Sequence, residues 1–340
     1  MTAVTATSIE RSATALPLWA IYVVLTVLVG VAMLMSLVFG YRIYSLNDVA
    51  TALFASDGSE ASTVVAGLRL PRAVLAPIVG AALGVAGVLV QTLARNRIAS
   101  PDTLGLNAGA SVSVVVASAV FGVSTLAGLS LAAALGALCA SLLVFGIAAG
   151  AGGLSPIRIV LVGVTIAGLG NAIVYVFLSI NEAQLQQLLF WLAGAFVDRP
   201  MELAVNGAPI VAVGFVLALL LSRALDALQA DESTAASLGV PLFLIRGASF
   251  VVVSMLTGAA VSMAGPVNFI GLVVPHAARR LVGLSHRRLI PAAALIGASF
   301  ATFADVVARF VIYPVEAPVG AITGVVGALV LLVLLMRRAA

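Results

Sequence analysis

Seventeen arginines and no lysine set the first limit on the chemistry open to this 340-residue chain. A Walker A phosphate loop requires a lysine, and Schiff-base catalysis uses one as nucleophile, so neither is built here. If nucleotide hydrolysis drives this molecule, another polypeptide must perform it. Two histidines, His276 and His286, are too few for a histidine-based metal cluster, and the lone Cys139 forms no disulfide framework. The acidic residues fall at the ends of apolar runs or between them, with Asp305 the deepest, four residues before Arg309. That spacing suits a structural ion pair on one helix face. No nucleophile stands beside a base in sequence, so catalytic residues, a bound metal and a cofactor are not expected.

The polar groups that remain inside apolar runs are mostly amides and hydroxyls: Gln91, Asn107, Thr165, Asn171 and Asn268. Such groups are costly at membrane depth unless they meet a partner or a wet cavity. They could line a path for a large polar solute without binding it tightly. They could equally hydrogen-bond between helices, and both readings stay open.

The elements that must position these groups are helices. The chain is 62% hydrophobic and 9% charged, with mean hydropathy +1.22. A soluble domain carries roughly a quarter charged residues, so too little polar surface is present to cover a water-facing globule. Apolar runs of membrane-crossing length recur at about 18–39, 71–93, 106–123, 127–149, 157–179, 206–223, 247–265, 270–284, 289–308 and 319–336. The expected fold class is all-α, a polytopic membrane protein of about ten transmembrane helices. One transmembrane domain is expected over 1–340, with a tail at 1–17 and a polar segment at 225–246. The run from Leu18 is too long for a signal-peptide core and reads as a retained first helix. Gly80, Gly84 and Gly87 put small residues along one helix side, where backbones can approach closely.

Arginine placement gives an orientation. With both termini inside, the cytoplasmic set is Arg11, Arg95, Arg97, Arg158, Arg223, Arg246, Arg279, Arg280, Arg287, Arg288, Arg337 and Arg338. Arg42, Arg69, Arg72, Arg199 and Arg309 then lie outside, a split that fits the positive-inside rule. The net charge of +4 has the same origin, so nucleic acid is not an expected partner, whereas membrane lipid is.

Three ordered stretches carry more specific information. The first runs from Leu68-Arg69-Leu70-Pro71-Arg72 through Gln91 and Asn96 to Ser100-Pro101-Asp102-Thr103-Leu104-Gly105. The second is Gly265-Pro266-Val267-Asn268-Phe269-Ile270-Gly271-Leu272, followed by Pro275-His276 and Arg279-Arg280. The third is Ala304-Asp305-Val306-Val307-Ala308-Arg309. Together they resemble the FecCD/BtuC-like family, the permeases of type II ABC importers for siderophores, haem and cobalamin. The chain departs from that pattern at Arg97-Ile98, where Pro-Leu is usual, and at Asn268, where Gly is usual.

The resemblance implies a dimer of ten-helix subunits, identical or paralogous, in the bacterial cytoplasmic membrane, with the substrate path between them. It implies two cytoplasmic ABC ATPase subunits and an extracytoplasmic substrate-binding protein as partners. By the same resemblance Arg69, Arg72 and Arg309 would dock the binding protein. The segment containing Asp231, Glu232, Ala235, Leu238 and Gly239 resembles the family's ATPase-coupling element, with Asp231 replacing the usual first Gly. Trp191 and Gly194 match a W-x-x-G element beside the mouth of the path. The expected cargo is a ferric siderophore, with cobalamin or haem as alternatives. An ion-coupled secondary transporter is a weaker rival, because it would need an intramembrane coupling carboxylate.

Overall fold

The computed structural model describes residues 17–55, 58–151, 153–180, 189, 191–230 and 241–339, and among these the architecture is helical. Helix α1 (Leu18–Val38) is followed by two short helices, α2 (Leu46–Phe54) and α3 (Glu60–Val64). A π-helical turn over Val65–Arg69 leads without a break into α4 (Leu70–Leu93). A 3₁₀ turn, Pro101–Leu104, precedes α5 (Leu106–Ala119), α6 (Leu126–Gly150) and α7 (Pro156–Ile180). Then come α8 (Met201–Leu220), α9 (Ser222–Ala230), α10 (Leu242–Ala264), α11 (Ile270–Val282), α12 (His286–Ala308) and α13 (Val319–Ala339).

Each of the ten apolar runs has its helix. Seven helical segments are long and apolar enough to cross a membrane, while α5, α11 and the Val319–Val330 part of α13 are shorter or less apolar. Two starts move outward from their expected places. Helix α8 begins at Met201 after Pro200, and α10 at Leu242 after Pro241: each proline stands at the N-cap with non-helical ψ, 153° and 87°, and its ring-fixed φ leads into the first turn. Residues 242–246 therefore belong to α10 rather than to the polar 225–246 segment.

Helix α4 is the hub. It is buried on almost every side, packing on α12, α10, α11, α8 and α1. Its glycines let these helices approach at backbone distance. A Cβ on Gly80 would lie 2.1 Å from the Gly297 carbonyl oxygen of α12, and one on Gly87 would lie 2.1 Å from the Gly271 carbonyl oxygen of α11. Helices α5, α6 and α7 form a second group joined to the first through α10. The chain breaks between α10 and α11, where Gly265 (φ +74°) and Phe269 (φ +67°) adopt left-handed backbone. Gly194 fills that break: Ala195 N–H donates to the Ala264 carbonyl at 2.8 Å, and the Gly194 carbonyl accepts from Gly320 N–H at 3.2 Å. The W-x-x-G element thus stitches α10 to the start of α13.

Candidate functional site

Three regions bear on the expected sites, two of them holding expected residues, and each is assembled from sequence-distant parts. At one end of the bundle, Arg69, Arg72 and Arg309 converge, all at least nine-tenths buried. Helix α1 ends here with four carbonyls that lack intrahelical donors. Arg69 donates through Nη1 to the Leu37 and Val38 carbonyls at 2.8 and 2.7 Å. Arg309 donates through Nη1 to the Ser36 and Phe39 carbonyls, both at 2.7 Å. Cationic groups at a helix C-terminus also complement its dipole, so two guanidiniums close α1. Arg69 additionally stacks over the Tyr44 ring, 4.8 Å from its centroid.

Asp305 binds the other two arginines together. Its Oδ1 accepts from Arg72 Nη2 at 2.8 Å and its Oδ2 from Arg309 Nη2 at 2.6 Å. Arg72 reaches Glu316 Oε2 at 2.7 Å with its other terminal nitrogen. Three positive and two negative charges are held in a mostly dry cluster, where charge-assisted hydrogen bonds offset the desolvation. The expected pairing of Asp305 with Arg309 is present, and Arg72 joins it.

The second region is an open concavity of about 680 Å³ between α5, α7 and the α10–α11 break. Asn107, Asn171 and Asn268 line it, together with Ser100, Asp102 and Tyr175. Asn107 Nδ2 donates to Asn268 Oδ1 at 3.0 Å and to Asp102 Oδ1. Among the described residues, Asn107 Oδ1 is buried with no hydrogen-bond partner. Burial pushes the Asp102 carboxyl up to about 7, against the opposing hydrogen bonds from the Ser100 hydroxyl and the Phe269 N–H. Sequence reasoning missed Asp102, because it sits in a turn between apolar runs and looked like a loop residue.

Gln91 and Thr165 lie elsewhere. Gln91 is buried between α4 and α11, donating to the Gly271 and Leu272 carbonyls at 3.3 Å each and accepting from Arg279 Nη1 at 2.6 Å. Thr165 is on the exposed face of α7, its hydroxyl donating to the Leu161 carbonyl at 2.9 Å. That face also leaves Leu161, Val164, Leu169 and Val176 uncovered by this chain.

The third region is the opposite end of the bundle. Asp226 of α9 accepts from the His286 backbone N–H at 2.8 Å and lies 2.6 Å from His286 Nδ1. The other ring nitrogen of His286 is 2.8 Å from Thr92 Oγ1 on α4. These contacts tie α9, α12 and α4 together just before the coupling-type segment. Asp231, Glu232, Ala235, Leu238 and Gly239 lie outside the described residues. Among the described residues, no three His, Cys, Asp or Glu side chains converge as a metal site would need.

Comparison with known proteins accounts for this layout. The family model described as the FecCD transport family matches residues 27–337. The chain is 38% identical over 316 residues to the ferric enterobactin transport system permease protein FepD of Escherichia coli (strain K12), covering 92% of this chain and 94% of that one. It is 37% identical over 279 residues to the cobalamin import system permease protein BtuC of Halobacterium salinarum, covering 82% and 74%. A solved structure, described as an inward-facing conformation of a metal-chelate type ABC transporter, superposes with a TM-score of 0.82 at 29% identity, over 94% of this chain and all of the other. The helical architecture and these matches agree: the chain is a multi-pass membrane permease belonging to the FecCD transport family.

Proposed function

We propose that this chain is the membrane-spanning subunit of an ATP-driven importer that carries a ferric siderophore into the cell. The observation that carries this reading is the concavity of about 680 Å³, lined by Asn107, Asn171 and Asn268 and flanked by the uncovered apolar face of α7. A second permease subunit, identical or paralogous, packed against that face would turn an open groove into a path. Amide walls suit a bulky chelate rimmed with oxygen atoms, offering many weak hydrogen bonds and no strong trap. Thr165 would join the lining only through such a dimer. Gln91 fits the interhelical reading.

The remaining roles follow from orientation. With both termini cytoplasmic, the Arg69–Arg72–Arg309 end faces outward in the cytoplasmic membrane and meets the substrate-binding protein. Their burial suggests how: the three arginines hold α1, the 39–46 loop and the 310–316 turn in register, and the stacked Tyr41 and Tyr313 rings, 5.5 Å apart, present that rim. Charge at such a rim orients docking and raises the on-rate more than it adds affinity. At the other end, α9 leads into the segment with Asp231, Glu232, Ala235, Leu238 and Gly239, which would seat in a groove on one of two separate ATPase subunits. This chain itself performs no covalent chemistry.

Uptake of radiolabelled ferric siderophores, cobalamin and haem in cells lacking and regaining this gene tests the reading. Restored iron uptake that disappears when the neighbouring ATPase is deleted supports it. Restored cobalamin or haem uptake instead moves the cargo and leaves the importer standing. Transport that persists without the ATPase overturns the importer.

A further inference from the structure

Beyond the path and its two ends, one cleft has a charge composition that the transport reading does not use. It has a volume of about 290 Å³ and is lined by Arg97, His276, Arg279, Arg280 and Leu284. Arg279 and Arg280 occupy the last turn of α11, and His276 stands one turn earlier on the same helix. Arg97 arrives from the linker after α4.

No carboxylate lines this cleft. Arg97 is close enough to Arg279 for the two charges to oppose each other. Asp226 lines the adjoining pocket with Arg97 and Arg279, but its oxygens are committed to the His286 ring, the His286 N–H and the Ser285 hydroxyl. Among the described residues, no ion pair joins an acid to Arg97, Arg279 or Arg280. Arg279 spends one N–H on the Gln91 amide oxygen, a neutral acceptor that leaves its charge uncompensated. Helix α11 ends here, and its dipole eases the burden of two adjacent cations only in part.

Three guanidiniums around one concavity offer planar forks of N–H donors matched to tetrahedral oxyanions. We propose that this cleft is a binding site for a phosphate group, built by Arg97, Arg279 and Arg280. The phosphate has two possible sources, an anionic phospholipid headgroup or a free phosphate. The apolar rim favours the lipid: Leu284 forms one wall, and the neighbouring Leu281 is also exposed, so an acyl chain can run out over leucine while its phosphate sits among the arginines.

The experiment uses the full-length permease purified in neutral detergent, with phosphatidylglycerol, phosphatidylcholine or inorganic phosphate added separately. Bound lipid is counted by native mass spectrometry, and the unfolding midpoint is followed by thermal shift. The wild type should retain phosphatidylglycerol at least tenfold more tightly than phosphatidylcholine, and the pair Arg97→Gln with Arg280→Gln should abolish that preference. Saturable stabilisation by inorganic phosphate without lipid preference, lost in the same variant, supports the site with a free anion as its occupant. Equal retention of both lipids together with no phosphate effect overturns the proposal. So does an undiminished preference in the paired variant, provided its unfolding midpoint without additive matches the wild type. Failure of all anions, with loss of a co-purifying ATPase subunit from the variant, assigns the cleft to a protein contact and overturns it as well.

Discussion

Asp226 closes the N-terminus of α12 from outside that helix, accepting from the His286 backbone N–H at 2.8 Å while lying 2.6 Å from the same residue's Nδ1. An ionised carboxylate can only accept, so facing it Nδ1 carries the hydrogen in this contact. The far ring nitrogen then meets Thr92, whose hydroxyl also lies 2.9 Å from the Val88 carbonyl. One carboxylate thus holds both the backbone and the side chain of a residue 60 positions away.

The first prediction concerns that tie. Asp226→Ala removes an N-cap acceptor and leaves a buried imidazole N–H without its partner, which should cost about 1–3 kcal/mol. His286→Ala should cost a similar amount. Because the two share one interaction, the double variant should fall short of the sum by about 1 kcal/mol. Unfolding midpoints of the four proteins in detergent complete the cycle, and strict additivity would show that the contact contributes nothing.

Close helix packing gives the second prediction. Gly80→Ala places a methyl group 2.1 Å from the Gly297 carbonyl oxygen, and the backbones of α4 and α12 must separate to admit it. Overpacking of this kind costs about 1–3 kcal/mol. Gly146 on α6 has nothing within 4 Å of its missing Cβ, so Gly146→Ala should be neutral or mildly stabilising through helix propensity. Extractable yield and unfolding midpoint should rank wild type and Gly146→Ala above Gly80→Ala.

These relationships differ in how far the sequence announces them. The seven long apolar helices are legible because each needs about 20 apolar residues in a row, and the shorter α5 and α11 are legible as apolar runs bounded by turn residues. The short α2 is announced only by its capping box, Ser45 with Asp48, which is easily passed over between two long runs. The arginine trio is legible as a group, since its motifs stand out. The burial of its members is not, because Arg69 and Arg309 bind main-chain carbonyls of α1 and a carbonyl leaves no trace in residue type. Asn107 and Asn268 are legible as misplaced polar groups, and their meeting across 161 residues depends on a helix break whose shape only Gly265-Pro266 hints at.

The arginine end supplies the third prediction, a contrast between dry and wet ion pairs. Asp305→Ala leaves Arg72 and Arg309 facing each other with their shared acid gone, and breaking a buried pair in this way costs about 3–5 kcal/mol. Arg42 and Glu60 also form an ion pair, at 2.5 Å, but both side chains are more than 60% exposed. Arg42→Gln should therefore change stability by less than about 1 kcal/mol. A midpoint loss in Asp305→Ala no larger than in Arg42→Gln would mean that the cluster is hydrated in solution.

Asp102 gives the last prediction, and its sign follows from the direction of the shift. The carboxyl is raised from 3.8 to about 7 in the folded chain, so between those values the native state holds a proton that the unfolded chain has released. Its contribution to stability is fully present below about pH 4, declines as pH rises, and is gone above about pH 7. One proton corresponds to at most about 1.4 kcal/mol per pH unit across that window, and less where water enters the concavity. Asp102→Asn keeps a neutral, hydrogen-bonding side chain at every pH. The difference in unfolding free energy between wild type and Asp102→Asn should therefore tilt against the wild type from pH 4 to pH 7 and stay level above, while the other carboxylates cancel. A difference that is flat across this range would place the Asp102 carboxyl near its ordinary value, wetted by the same cavity that Asn107 and Asn268 enclose.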